Sequence, residues 1–214
     1  SHIQGVGNMK AIAWNIVTGC ERLSPGCDNC PTYWESQKLK ADYHPKTHGE
    51  KLIEPLANQT PAAYMVAAGS DLFHEAVRLE FIQSVFEVME QAHWHEFEVM
   101  TKRVERMESL SARGLIKWPY NVIAGVAVEE SRYKWRIEAL RNVKARRMVM
   151  FGPMVGSIGK VNLNGIEAAG PVAEDWGPNP RPVDPMHLGE VIDQITNQKI
   201  RLLTNSWLCE EVLK

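Results

Sequence analysis

The sequence predicts an α/β fold, a shortened or partial (β/α) barrel of about six parallel strands. Three observations carry that expectation. Six apolar runs recur along the chain at intervals that leave room for a helix between them. The runs are continuous rather than alternating, as expected of parallel strands covered on both faces. Stretches with apolar residues at helical spacing lie between them. Such alternation implies right-handed crossovers and a parallel sheet or barrel. A complete eight-stranded barrel takes about 250 residues, whereas this chain has 214. Six or seven βα units therefore make a barrel cut short.

The strand runs are "AIAWNIV" (11–17), "AYMVAAG" (63–69), "FEVMT" (97–101), "NVIAGVAV" (121–128), "RMVMFG" (147–152) and "KIRLLT" (199–204), with "GIEAAG" (165–170) a weaker seventh. "PTYWESQKLKA" follows the cysteines as the first helix. "LEFIQSVFEVMEQA" places Phe81, Val85, Phe86 and Met89 on one stripe. "SRYKWRIEALRNV" does the same with Tyr133, Ile137 and Leu140, and "MHLGEVIDQITN" with Leu188, Ile192 and Ile195. These stripes are expected to be core faces. "AAGPVAEDWGPNPRPVDPM", rich in Gly and Pro, predicts a long ordered loop. With no repeat, heptad run or low-complexity tract, residues 9–214 are expected to form one domain. Residues 1–8 are expected to be a tag or disordered leader before Met9.

Composition narrows the function classes. Hydrophobic residues make up 44% and charged residues 23%, as in ordinary globular proteins, and a net charge of -2 excludes a global polycation. Nucleic-acid binding would need a local basic patch. No apolar run approaches the roughly 20 residues of a membrane span, and no signal peptide opens the chain, so a cytoplasmic protein is expected. In a reducing compartment, clustered cysteines point to metal ligands or redox thiols.

"TGCERLSPGCDNCPTYW" holds Cys20, Cys27 and Cys30, while the fourth cysteine, Cys209, lies far away. The cluster follows the first strand, at the edge where parallel α/β folds place their chemistry. Pro25, Gly26, Asp28 and Asn29 make the loop turn-rich. A structural zinc site normally closes with four protein ligands, for which Cys209, His44, His48 and His74 are the candidates. A 4Fe–4S cluster on three cysteines leaves one iron open to a small molecule. C-x2-C is common to both, so spacing alone leaves cluster, zinc and incidental thiols open.

The three-cysteine loop after strand one of a short barrel resembles the radical S-adenosylmethionine (SAM) superfamily. The spacing C-x6-C-x2-C is similar to that of short phage and bacterial proteins within it that carry a domain of unknown function. The matching blocks are "AWNIVTGCERLSPGCDNC", "GSDLFHEAV", "MTKRVERM", "NVIAGVAVEES" and "GPNPRPVDP". The resemblance implies that Cys20, Cys27 and Cys30 hold a 4Fe–4S cluster whose fourth iron is chelated by SAM. The reduced cluster would cleave SAM to methionine and a 5′-deoxyadenosyl radical, which abstracts hydrogen from the substrate. An electron donor such as flavodoxin or ferredoxin is implied, and, for a phage protein, the host cytoplasm.

Around that centre, Gly69 would allow close backbone approach. Ser70 and Asp71 can accept hydrogen bonds from SAM's ammonium. Thr101 and Lys102 end strand three at the same edge. Glu129 would hold the ribose hydroxyls, and Met150 would pack on adenine. His74 is expected to be a surface or supporting histidine. Arg103 can bind a carboxylate or phosphate. Arg146 and Arg147, within the basic stretch "RIEALRNVKARR", are the candidate patch for nucleic acid. The chain departs from the family pattern at Val104, Ala127 and Gly152, in "AGPVAED" and in "LLTNSW", all at strand ends, which implies a specialised substrate. A modified thymidine in phage DNA, rearranged by an isomerase, is the substrate expected by analogy. The alternative is a zinc-stabilised nucleic-acid-binding module without catalysis.

Overall fold

The computed structural model describes residues 9–177 and 179–203. The expected leader (1–8) and Cys209 lie outside the described residues. Strands are numbered along the chain. β1 (Lys10–Trp14) is followed by a small antiparallel pair, β2 (Val17–Thr18) with β3 (Lys46–Thr47). Then come β4 (Ala62–Val66), β5 (Glu96–Thr101), β6 (Val122–Ala127), β7 (Arg146–Phe151), β8 (Ala168–Pro171) and β9 (Arg201–Leu202). The main sheet has the order β1-β4-β5-β6-β7-β8-β9, and every neighbouring pair is parallel.

Strand order follows chain order without reversal. Right-handed crossovers that all step the same way place their helices on one face, which makes this a partial (β/α) barrel of the class expected. Among the described residues β1 and β9 do not pair, so the barrel is open. The helices are α1 (Pro31–Lys38), α2 (Glu54–Ala57), α3 (Leu79–Gln91), α4 (Val104–Ala112), α5 (Trp135–Arg141) and α6 (Pro185–Asn197). α6 begins with Pro185 in its first turn, and the Asp184 side chain accepts the Met186 N–H at 2.8 Å, a cap worth about 1 kcal/mol.

The main core lies between the sheet and these helices. Val66, Phe97, Val99, Val122, Ala124, Val126, Val149 and Phe151 meet Ile82, Val85, Met89, Met107, Ile137 and Leu140 there. The concave face carries a smaller group, Ile123, Met148 and Ala168, with Met100 and Leu203 against it. The expectation of strands covered on both faces needs correction here. Burial along β5 alternates, with Phe97, Val99 and Thr101 buried and Glu96, Glu98 and Met100 only half-buried. An open barrel leaves its inner face partly uncovered, so polar side chains are tolerated on it. Trp14 is wholly buried, donates its indole N–H to the Lys51 carbonyl at 2.9 Å and packs on Tyr64 and Phe97. It belongs to the core rather than to the cysteine loop.

Other differences are local. The weak seventh run supplies β8, a full member of the sheet, and the last strand shortens to Arg201–Leu202. The helix expected over 131–143 divides into a 3-10 turn at Ser131–Tyr133 and α5. No helix among the described residues is long and apolar enough to cross a membrane.

Candidate metal centre and ligand pocket

The C-terminal ends of β1, β4 and β5 feed one pocket. Cys20, Cys27 and Cys30 all line it, together with Tyr43, Gly69–Asp71, Met100, Thr101–Arg103 and Ala127. The sequence separates these residues by more than a hundred positions, from Cys20 to Ala127. Parallel register brings them together, because strand ends that pair in register put their following loops side by side.

The cysteine loop is held at both ends. Gly19 has φ +75°, and the Cys20 N–H reaches the Tyr43 carbonyl at 3.0 Å. A β-carbon on Gly19 would sit 2.5 Å from that same oxygen. Gly19→Ala therefore combines a left-handed backbone with a backbone clash. It is expected to cost about 1–3 kcal/mol and to weaken metal uptake at Cys20. Urea midpoints and bound iron, read on the same sample, check this. Further along, a 3-10 turn (Pro25–Cys27) is closed by Cys27 N–H to the Ser24 carbonyl at 2.8 Å. Cys30 stands at the start of α1, with Pro31 in the first turn.

A strap from the β8–α6 loop clamps the far side. The Asn29 amide donates to Glu174 Oε2 at 2.8 Å, and Arg181 donates to both Glu174 oxygens and to the Pro25 carbonyl (2.8 Å). The Glu174 side chain is wholly buried. The expected long ordered loop is thus present, and its order comes from this clamp. Asn29, Glu174 and Arg181 were not among the predicted site residues. The block "GPNPRPVDP" holds Arg181 and the cysteine block holds Asn29, while Glu174 falls in "AGPVAED", a stretch that departs from the family pattern.

All three thiols are free, and each has a polar neighbour. Lys102 Nζ lies 3.4 Å from Cys27 Sγ, and Arg103 Nη1 lies 3.8 Å from Cys20 Sγ. Thr32 Oγ1 and the Tyr43 hydroxyl stand 3.2 and 3.7 Å from Cys30 Sγ. Burial pushes the Tyr43 phenol well up, so it stays a protonated donor. Burial also raises the Cys20 thiol, aided by Asp71, and Arg103 offsets this only in part. Cys27 is opposite in net effect. Burial would raise it, but the Lys102 charge and hydrogen bonds from Leu23 and Ser24 hold it below the ordinary thiol range.

Of the other predicted residues, Gly69, Ser70, Asp71, Thr101, Lys102 and Arg103 line the pocket, and several of them are already engaged. Asp71 is buried and acts as a bolt between two strand ends. Its carboxylate accepts from the Phe73 N–H (2.9 Å), Thr101 Oγ1 (2.7 Å), the Lys102 N–H (3.2 Å) and Arg103 Nη1 (3.3 Å). The Ser70 hydroxyl donates to the Gly19 carbonyl, and the Gly69 carbonyl accepts from Thr32 at 3.0 Å. Glu129 is wholly buried beneath the loop and does not line the pocket. Lys102 (2.6 Å), Ser24 (2.5 Å) and Arg136 (2.7 Å) occupy both its oxygens, so no lone carboxylate is presented to a ribose. Gly26 lets the loop lie directly on it; a β-carbon there would be 2.5 Å from Glu129 Cγ. Met150 sits one strand beyond the pocket, in register with the pocket-lining Ala127.

Arg146 and Arg147 are not brought to the site. They open β7, at the sheet's opposite edge. Arg146 pairs with Glu167 (2.7 Å) and Glu96 (3.5 Å), while Arg147 donates to the Val143 and Gly165 carbonyls. Arg141 is tied to the Asn162 and Asn164 carbonyls. This stretch ties the lower rim together and leaves no patch beside the pocket. Their place at the start of the predicted strand 147–152 already points to the lower edge.

None of His44, His48 and His74 lines the pocket. His74, Glu21 and Glu75 do bring three ligand atoms within 4.8 Å. However, His74 Nδ1 accepts the Ala76 N–H at 3.1 Å, which leaves the ring proton on Nε2, the nitrogen that faces Glu21. A protonated nitrogen is no metal ligand. The three cysteine sulfurs do not form such a tight group. Soft thiolates open to a pocket fit a 4Fe–4S group.

The family profile described as "Protein of unknown function (DUF5131)" matches residues 8–209. The chain belongs to this family. The DUF5131 match spans the cysteine loop, the strand ends that line the pocket and the strap. No curated protein matches the chain. A solved structure described as "Spore photoproduct lyase complexed with dinucleoside spore photoproduct" is similar at 12% identity and a TM-score of 0.46. The similarity covers 75% of this chain and 55% of that one, so this DUF5131 chain spans about half the length of that lyase.

Proposed function

We propose that this protein is a radical SAM enzyme whose Cys20, Cys27 and Cys30 hold a 4Fe–4S cluster. The convergence of the three free thiols on one pocket at the C-terminal edge of a partial barrel carries this reading. When bound, the cluster supplies an electron that cleaves SAM to methionine and a 5′-deoxyadenosyl radical, the species that takes hydrogen from the substrate. The chain's own residues position and shield. Gly69–Asp71 and Thr101 shape the pocket floor, the Tyr43 hydroxyl lies beside Cys30, Thr32 ties that edge to the Gly69 carbonyl, and the Glu174–Arg181 strap holds the Cys27–Cys30 arc. SAM would lie along this floor, with Met150 one strand away for its adenine, and a flavodoxin or ferredoxin would deliver the electron.

The finer reading concerns substrate. A base in DNA or a modified nucleotide, rearranged in an isomerase reaction, follows from the family resemblance. Arg146 and Arg147 do not serve it. Arg22 lines the pocket, stacks on Tyr33 with its guanidinium carbon 5.3 Å from the ring centre and pairs with the half-exposed Asp28 at 2.5 Å; by position it is the better placed cation for a phosphate.

Anaerobic reconstitution with iron and sulfide, followed by a SAM-cleavage assay under a strong reductant, tests the proposal. About four irons per chain, with 5′-deoxyadenosine and methionine as products, are expected. Colourless protein that retains zinc and leaves SAM intact would sink it.

A further inference from the structure

The residues that follow β5, Lys102 and Arg103, fit a role other than holding SAM or substrate. Their donors are largely spent inside the protein. A lysine ammonium has three N–H groups. Lys102 directs them at Glu129 Oε1 (2.6 Å), Ser24 Oγ (3.2 Å) and Cys27 Sγ (3.4 Å), which leaves none for a ligand. Arg103 uses Nε on Glu75 (3.0 Å) and Nη1 on Asp71 (3.3 Å) and Cys20 Sγ (3.8 Å). Its Nη2 is buried and makes no hydrogen bond, with Glu21 3.9 Å away.

The geometry that aims them is built in. Thr101 Oγ1 and the Lys102 N–H both bond to Asp71, and the Arg103 N–H returns to Thr101 Oγ1 at 2.8 Å. This knot fixes the backbone where β5 ends and α4 begins. The two successive side chains then diverge, one to each end of the long arm of the cysteine loop. Glu129, held in turn by Arg136 at 2.7 Å, keeps the ammonium in place. Cys30, by contrast, has only neutral hydroxyls near its sulfur.

We infer that Lys102 and Arg103 act on the cysteine sulfurs themselves, donating charged hydrogen bonds to Cys27 and Cys20 and so raising the reduction potential of the centre those thiolates hold. A cationic N–H on a ligand sulfur draws off negative charge and favours the state that carries one more electron. The two are positioning and tuning residues, and Cys30 is the untuned ligand. This rests on the cluster reading above.

The test is a redox titration of the reconstituted full chain, followed by electron paramagnetic resonance, with SAM affinity measured alongside. Lys102→Met is expected to lower the reduced-to-oxidised ratio at a fixed potential about tenfold, which is ~59 mV for one electron, without loss of SAM affinity. Lys102→Arg, which keeps a charged donor, is expected to recover most of the shift. Arg103→Lys, which keeps the charge but shortens the reach to Cys20, is expected to move the potential the same way as Lys102→Met, and decides the matter if that variant takes up no iron. An unchanged potential in both overturns the inference, as does lost SAM affinity at an unchanged potential in Lys102→Met. Wild-type protein that binds no cluster overturns the functional reading itself, a result distinct from a normal cluster with an unmoved potential.

Discussion

Alanine in place of Cys20, Cys27 or Cys30 is expected to reduce bound iron from about four per chain to near zero, and to abolish SAM cleavage with it. Each thiol lines the same pocket, and each sits on a differently anchored piece of backbone. Cys20 hangs from Gly19 and Tyr43, Cys27 closes a 3-10 turn, and Cys30 starts α1. The loop is held from outside by the strap and by the Ser70 hydroxyl on the Gly19 carbonyl, so loss of one thiol should leave the fold largely intact. Iron analysis and circular dichroism on the same preparations check both halves. Cys209→Ala is expected to bind iron normally, because the three-ligand arrangement does not draw on it. Loss of the cluster in that variant would show a fourth protein ligand and favour a closed site.

The largest stability effect is expected at Glu129. It is a wholly buried carboxylate shared by Lys102 and Arg136, with Ser24 completing its shell. Glu129→Ala leaves two cationic groups, one fully and one largely buried, without their counter-charge, and breaking a buried pair this way costs about 3–5 kcal/mol. Urea denaturation should show it as a lower midpoint at an unchanged slope. Burial alone would push the Glu129 carboxyl up, but Lys102 and Arg136 outweigh it and hold the group below 4.5. A folded-state pKa depressed in this way adds stability that is fully present above about 4.3. That contribution is lost as pH falls through the lower folded value. The stability gap between wild type and Glu129→Gln is therefore expected to be constant near neutrality and to narrow only in acid. A gap that widened on acidification would contradict the pairing.

The two expectations differ in how far the chain alone could carry them. Three thiols within eleven positions, after a strand and before a helix, are a local pattern, and local patterns survive folding. The same holds for the strand runs, whose continuous hydrophobicity reports burial, and for helix stripes such as Phe81, Val85, Phe86 and Met89. β8 was weak because Ala168, Ala169 and Gly170 have little side chain to signal a strand. The β2–β3 pair has two residues on each side, too few for any period to show. α4 hides behind charged residues, with Val104, Met107 and Leu110 its only apolar stripe.

By itself, then, the sequence determined the partial barrel, the edge that carries the pocket and the three thiols gathered there. Only the tertiary structure decided what the charged residues at that edge do. Asp71, Lys102, Arg103 and Glu129 belong by position to a ligand pocket, yet they spend most of their hydrogen-bonding capacity on one another and on two of the sulfurs. The physical reason is reach. A lysine or arginine head lies several ångströms from its backbone and can turn toward any of several partners. Which one it meets depends on strands that the chain places dozens of residues away, and on the rule that a buried charge must find its counter-charge.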